Sequence, residues 1–244
     1  MFRQLGVIGT GLMGGSFALA LKRAGLVQRV IGYSKSPSTT ERAKKLGVID
    51  DTAESALLAV SGSDIVLIAV PVAATEATFK AIRHAVEPGC LFMDVGSTKR
   101  DVVDAARRVL KERIVSFVPA HPIAGKEAGG VQHADAALYQ GRQVILTPLS
   151  STDPALVQKA ADVWSAIGCQ VLKMTPDDHD AAFAAVEREL GGVDIASMGD
   201  LREDLRRPCQ DRRTVSGRDH ADDEGVGADD VLAHERGVLD PLDQ

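Results

Sequence analysis

Cysteine, aromatic side chains and long apolar runs are all scarce in this 244-residue sequence, and each scarcity excludes something. Three cysteines, Cys90, Cys169 and Cys209, are too few, too far apart and odd in number for a disulfide framework or a cysteine metal cluster. They read as reduced thiols, which points to a cytoplasmic protein. No apolar run approaches the roughly 20 residues of a membrane-spanning helix, so no membrane partner is expected. The sequence opens at once on a strand-like run, so no signal peptide is expected. Basic clusters are missing too. The arginine pairs at 206–207 and 212–213 sit among acids, which argues against nucleic-acid binding. His84, His133, His220 and His234 show no ligand spacing, so they read as surface residues and no metal is expected.

The scarcities are unevenly placed. Residues 187–244 contain no Lys, Phe, Tyr or Trp, and carry 16 Asp and Glu against 8 Arg, a net −8. Residues 1–186 hold 18 acids against 20 Lys and Arg, a net +2. The overall −6 therefore conceals a composition boundary.

What is present begins at residues 5–16 (LGVIGTGLMGGS): a short apolar strand, a glycine-rich turn and a helix start. Gly9, Gly11 and Gly14 fit G-x-G-x-x-G. In such a turn the first glycine permits a tight exit from the strand, the second a close approach of backbone to a pyrophosphate, the third close packing of helix on sheet. With Leu12 and Met13 they form the expected cofactor cradle, because uncapped N–H groups and the helix dipole attract phosphate. The strand is expected over 3–8 and the helix over 16–24. A tight turn without a ligand is the alternative.

A second strand (28–33) leads to Ser34, where dinucleotide folds that take NAD commonly place an acid for the ribose 2′-hydroxyl. Residues 34–40 (SKSPSTT) contain no acid. Ser34 and Lys35 instead suit a 2′-phosphate, which favours NADP over NAD. Ser38 or Thr39 as a simple helix cap is the alternative reading.

Further on, the apolar run at 64–70 (DIVLIAV) reads as a strand buried on both faces of a parallel sheet, stopped by Pro71. A short strand or turn at 48–51, helices at 74–86 and 96–113, and strands at 91–95, 114–120, 143–149 and 169–174 follow. Helices at 155–167 and from 175 through 186 complete the alternation. Strands and helices in turn with short links indicate a doubly wound α/β sheet. Ligands of such sheets gather at the carboxyl ends of the strands. The loops there are Val70–Pro71, 96–99 and 121–127. His121 follows a strand and precedes Pro122, where a histidine serves either as a general base or as a capping group. Ser97 reads by itself as a helix N-cap, Lys99 as a solvated first-turn lysine with a phosphate or carboxylate contact as the alternative, Lys126 and Glu127 as loop charges, and His179 stays undecided.

Three motifs in order, 9–16 (GTGLMGGS), 94–99 (DVGSTK) and 121–127 (HPIAGKE), resemble the prephenate/arogenate (cyclohexadienyl) dehydrogenase family of tyrosine biosynthesis. Residues 178–186 (DHDAAFAAV) resemble that family's domain-connecting helix. The resemblance covers about 3–186. It implies a Rossmann-like, mainly parallel α/β fold and oxidative decarboxylation of prephenate or arogenate with hydride transfer to NADP or NAD. It also implies a catalytic role for His121, which accepts the substrate hydroxyl proton, and for Ser97, which hydrogen-bonds around that hydroxyl. Gly9, Gly11, Leu12, Met13, Gly14, Ser34, Lys35, Val70 and Pro71 are the expected cofactor contacts. β-Hydroxyacid dehydrogenases share a similar glycine-rich opening, but call for a catalytic lysine on a later helix. An inactive nucleotide-binding remnant is the non-enzymatic alternative.

Beyond Val186 the resemblance stops. The family continues with Ser-His-Leu-Pro-His and a helical domain that closes over substrate, supplies an arginine for a substrate carboxylate and forms a homodimer. Here the chain reads 187–192 (ERELGG), and a polar, acidic stretch at 218–230 has the composition of disorder. The expected organisation is a dinucleotide-binding domain over 1–175, a connecting helix over 176–190 and an irregular tail over 191–244. A change of reading frame near Val186 accounts for the abrupt shift; a divergent native tail is the alternative. Either way, the family's dimer region is missing and weak turnover is expected.

Overall fold

Short β-branched runs alternate with helical segments, and the chain folds accordingly. The structure, a computed structural model, describes residues 1–126 and 128–190. Glu127 and the 191–244 segment, with Cys209, His220, His234 and both arginine pairs, lie outside the described residues.

The first half runs β1 (Phe2–Ile8), α1 (Leu12–Arg23), β2 (Val27–Tyr33), α2 (Pro37–Lys45), β3 (Asp51–Thr52), α3 (Ala56–Val60), β4 (Ile65–Ile68), α4 (Val72–Ile82), β5 (Leu91–Asp94) and α5 (Lys99–Val109). A 3-10 helix, Lys111–Ser116, leads into β6 (Phe117–Val118). These six strands form one parallel sheet in the order β3-β2-β1-β4-β5-β6. It is the doubly wound α/β order, Rossmann-like, and its direction of winding reverses between β1 and β4.

The period-two alternation of each strand builds two cores. Leu5, Val7, Ile65, Leu67, Leu91 and Met93 face one side with Phe17 of α1. Ile8, Val66, Ile68, Phe92 and Phe117 face the other, against Phe79 and Val102 of α4 and α5. Burial on both faces explains why β4 reads as an unbroken apolar run.

The sequence expects one strand over 114–120, and the chain breaks it in two. Lys111, at φ 50°, starts a 3-10 turn instead, and the parallel pairing ends with β6. Pro119 brings no N–H to extend that ladder. The chain then enters a second sheet as β7 (Ala120–Pro122), which pairs antiparallel with β8 (Gln143–Leu146). Between them lies a 3-10 turn at Val131–His133. After α6 (Pro154–Ala166), β9 (Gln170–Lys173) joins β8 in parallel. The last described element is α7 (Pro176–Leu190). Its start is fixed locally: Thr175 Oγ1 accepts from Asp178 N at 3.1 Å, and Pro176 sits at the first helical position.

The two sheets are tied through α1. Tyr139 Oη donates to Met13 O at 2.8 Å, Asp135 N donates to Ser16 Oγ at 2.9 Å, and Phe17, Tyr139 and Trp164 form a ring cluster.

Candidate active site

The parallel register brings Ile8, Ile68 and Asp94 side by side, so the chain leaves β1, β4 and β5 at one edge. The glycine turn follows β1 there, and Ala69, Val70 and Pro71 follow β4. Gly9 has φ +95°, and a side chain on it would collide with the Ala69 carbonyl. Gly14 leaves no more room, because its Cβ would strike the Gly9 carbonyl. Gly11 is different: a Cβ there meets nothing within 4 Å. It is also the N-cap of α1, with no side-chain cap and no acid in the first turn. The N–H groups of Leu12, Met13 and Gly14 therefore begin a helix uncapped, facing open space at Gly11. A phosphate-bearing cofactor fits that donor set.

Ser34 lies close to this turn and holds it. Its Oγ accepts from Thr10 N at 2.9 Å and lies 2.8 Å from Thr10 Oγ1. Lys35, Ser36 and Ser38 are exposed beyond it, while Val70 is half-buried and Pro71, the N-cap residue of α4, is exposed.

Lys99 overturns its sequence reading as a solvated lysine. It is fully buried, at 0 % exposure, and its Nζ donates to Asp94 Oδ2 at 2.6 Å and to Ala120 O at 2.7 Å. Asp94 Oδ1 in turn accepts from Ala120 N at 3.1 Å, and Oδ2 accepts from Gly96 N at 2.8 Å. The ion pair thus grips both backbone groups of the residue before His121. Burial pushes the Lys99 ammonium below the usual lysine value, against the opposing pull of Asp94.

The Ser97 capping reading also fails. The N-cap residue of α5 is Thr98, which makes no side-chain cap, and Ser97 is exposed with no hydrogen bond among the described residues. The helix start is capped from a distance instead. Asp180 of α7 accepts from Lys99 N and Arg100 N, both at 2.9 Å.

His121 is partly exposed and its Nδ1 lies 2.9 Å from Nε2 of His179. His179 is fully buried, and its Nδ1 lies 2.7 Å from Asp180 Oδ1. Phe183, one turn further along α7, stacks on His179 at 4.5 Å and leans on His121 at 5.0 Å. Burial holds His121 well below the ordinary histidine value, helped by Lys99 and His179. Burial lowers His179 as well. Burial works to raise the Asp180 carboxyl, yet its bonds from Lys99 N, Arg100 N and His179 outweigh this and hold it low. The result is two neutral imidazoles and one carboxylate in a row. His121 Nε2 has no hydrogen bond among the described residues and is left free for a substrate proton.

The sequence left His179 undecided and gave Asp180 no role. The signal was present in a His-Asp pair near the start of a helix that Thr175 and Pro176 begin. His84 and His133 are exposed, and no metal-ligating cluster occurs among the described residues.

With this geometry in place, the relatives are informative. The family model for the prephenate dehydrogenase nucleotide-binding domain matches residues 17–173. The chain belongs to this family. It is 38 % identical over 179 residues to prephenate dehydrogenase of Bacillus subtilis, covering 73 % of this chain and 48 % of that protein. The chain thus spans about half the length of that relative. Among solved structures, prephenate dehydrogenase of A. aeolicus in complex with hydroxyphenyl propionate and NAD+ superposes with a TM-score of 0.68 at 32 % identity, over 78 % of this chain and 70 % of that one. Arogenate dehydrogenase of Synechocystis gives a TM-score of 0.67 at 26 % identity, over 89 % of this chain and 80 % of that one. Membership decides between the two dehydrogenase families that the glycine-rich opening leaves in play.

Proposed function

We propose that this chain carries the cofactor half of an NADP-preferring dehydrogenase that oxidatively decarboxylates prephenate or arogenate. One observation carries the reading: a neutral, partly exposed His121, held just after the clamped backbone of Ala120 at the edge where the glycine turn lies, with Nε2 free. A bound nicotinamide supplies the hydride acceptor. His121 Nε2 takes the substrate hydroxyl proton as hydride leaves the carbon that bears it. The ring carboxylate departs as CO₂, its bonding pair enters the ring, and the resulting phenolate oxygen recovers a proton from His121. Ser97, exposed on the loop after β5, hydrogen-bonds the same hydroxyl. Gly9, Gly11, Leu12, Met13 and Gly14 cradle the pyrophosphate, and Val70 and Pro71 line the crevice beyond β4.

The NADP preference rests on residues 34–40, which bring Lys35 and hydroxyls but no acid. Membership of a family whose sequences continue into a further domain supports the division at about 175 and 190. Residues 187–192 (ERELGG) depart from the Ser-His-Leu-Pro-His continuation that the resemblance implies, so substrate is held less firmly, and positioning is worth several powers of ten in rate. The chain turns over slowly.

Reduced nicotinamide is followed in mixtures of the protein with prephenate or arogenate and NAD or NADP. Slow turnover that vanishes in His121→Ala, with cofactor affinity intact, is the expected result. Turnover unchanged in that variant sinks the base role. Cofactor binding with no turnover at all favours the second reading, an inactive nucleotide-binding remnant, which the missing Ser-His-Leu-Pro-His segment independently supports.

A further inference from the structure

We propose that His179 and Asp180 are positioning residues for His121, fixing its proton on Nδ1 so that Nε2 is the atom that accepts. The assignment builds on the dehydrogenase reading for its use, but its geometry stands by itself.

The protons can be placed one at a time. The Asp180 carboxylate is an acceptor only, so His179 Nδ1, 2.7 Å from Oδ1, carries a hydrogen and donates it. His179 is wholly buried and neutral, so its other nitrogen, Nε2, is bare and accepts. His121 Nδ1, 2.9 Å away, must then be the donor. A neutral His121 has one ring hydrogen, and that hydrogen is spent on Nδ1. Its Nε2 presents a lone pair. Were the proton on Nε2 instead, His121 and His179 would face each other with two bare nitrogens at hydrogen-bond distance.

Packing fixes the planes as well as the protons. Phe183 stacks on His179 with ring planes 23° apart, and leans on His121 from the same helix. Asp180 cannot swing away, because it also caps α5 through Lys99 N and Arg100 N. One carboxylate thus joins the helix start beside Ser97 to the orientation of the base. When Nε2 takes a proton, Nδ1–H keeps its bond to His179, and Asp180 lies at the far end of the row to balance the new charge. Lys99, ion-paired with Asp94 beside the same backbone, works against a charge on His121.

Nitrogen-labelled histidine in the full chain gives a direct test through two-bond proton–nitrogen correlation spectra at mildly alkaline pH. His121 and His179 are both expected to show a protonated Nδ1 and a bare Nε2. His179→Leu removes the acceptor, and the His121 pattern should lose its single tautomer. His179→Gln, whose Oε1 can reach the place of Nε2, should restore it. Where turnover is measurable, kcat falls about 10²-fold or more in His179→Leu and is largely regained in His179→Gln, with KM little changed. A wild-type His121 protonated on Nε2 overturns the proposal, and that spectrum decides even if the leucine variant fails to fold. An unaltered His121 pattern in a folded His179→Leu protein overturns it too. The expected tautomers without turnover of either substrate would sink the dehydrogenase reading and leave this one standing.

Discussion

The buried ion pair shows how a single residue can carry more than its sequence context suggests. Lys99 looks like a first-turn surface lysine, because a sequence does not reveal that Asp94, five residues earlier, ends a buried strand beside the Ala120 carbonyl. Lys99→Met leaves the Asp94 carboxylate buried without its cation, and should cost about 3–5 kcal/mol in urea denaturation. The paired change Asp94→Asn with Lys99→Met should cost clearly less than the two single changes added together, since neither charge is then stranded. Additive losses would show that the pair is not coupled. His121 and His179 make a second residue-scale prediction. Both are held below the ordinary value of about 6.5, so below that pH the unfolded chain binds protons that the folded chain refuses. Stability should be indifferent to these groups above about pH 6.5 and fall as the pH drops beneath it, before the carboxylates near about pH 4 begin to protonate. His179→Gln should flatten that fall. A urea midpoint that stays level down to pH of about 5 in the parent protein would contradict it.

At the scale of elements, most of the fold was legible because local signals agreed with one another. β1, the glycine turn and α1 follow from an apolar run, three glycines and a helical pattern, and β4 follows from apolar continuity. The split of 114–120 between two sheets was not legible, since nothing in the apolar pattern of that run marks a change of sheet. The histidine row was hidden for a similar reason: it joins β7 to α7 across 58 positions of sequence. Two glycines of one turn separate fold from function. Gly9→Ala forces a left-handed backbone on alanine and drives Cβ into the Ala69 carbonyl, so it should destabilise by at least about 1–3 kcal/mol. Gly11→Ala puts Cβ into open space from an ordinary φ of −76°, so only the N-cap preference for glycine over alanine is lost and the stability change should stay within about 1 kcal/mol. Its dinucleotide affinity should nevertheless fall about tenfold or more, equal to about 1.4 kcal/mol, because the methyl occupies the cradle. Calorimetric titration with NADP alongside thermal melting reads both. Unchanged affinity in Gly11→Ala would move the phosphate away from this turn.

At the scale of the whole molecule, the composition of the sequence changes after residue 186. Residues 1–186 carry every lysine and aromatic of the chain, and the family match falls within them, at 17–173. The aromatic cluster of Phe17, Tyr139 and Trp164 and the trio Phe79, Phe92 and Phe117 lie within that portion. The proposed site beside them offers uncapped backbone N–H groups at the glycine turn and the free Nε2 of His121, but among the described residues nothing encloses it from the far side. The proposed division of labour has a direct consequence. A chimera that joins residues 1–186 to the C-terminal half of the Bacillus subtilis relative should gain at least about 10²-fold in kcat/KM, because positioning contributes on that scale. Its NADP affinity should change little, since the glycine turn and residues 34–40 are untouched. The gain should also depend on His121: the same chimera with His121→Ala should fall back toward the parent rate. A rise in turnover that survives this substitution would mean that the added half brings its own base. A chimera that folds, binds NADP and gains nothing would mean that the first 186 residues lack more than a wall.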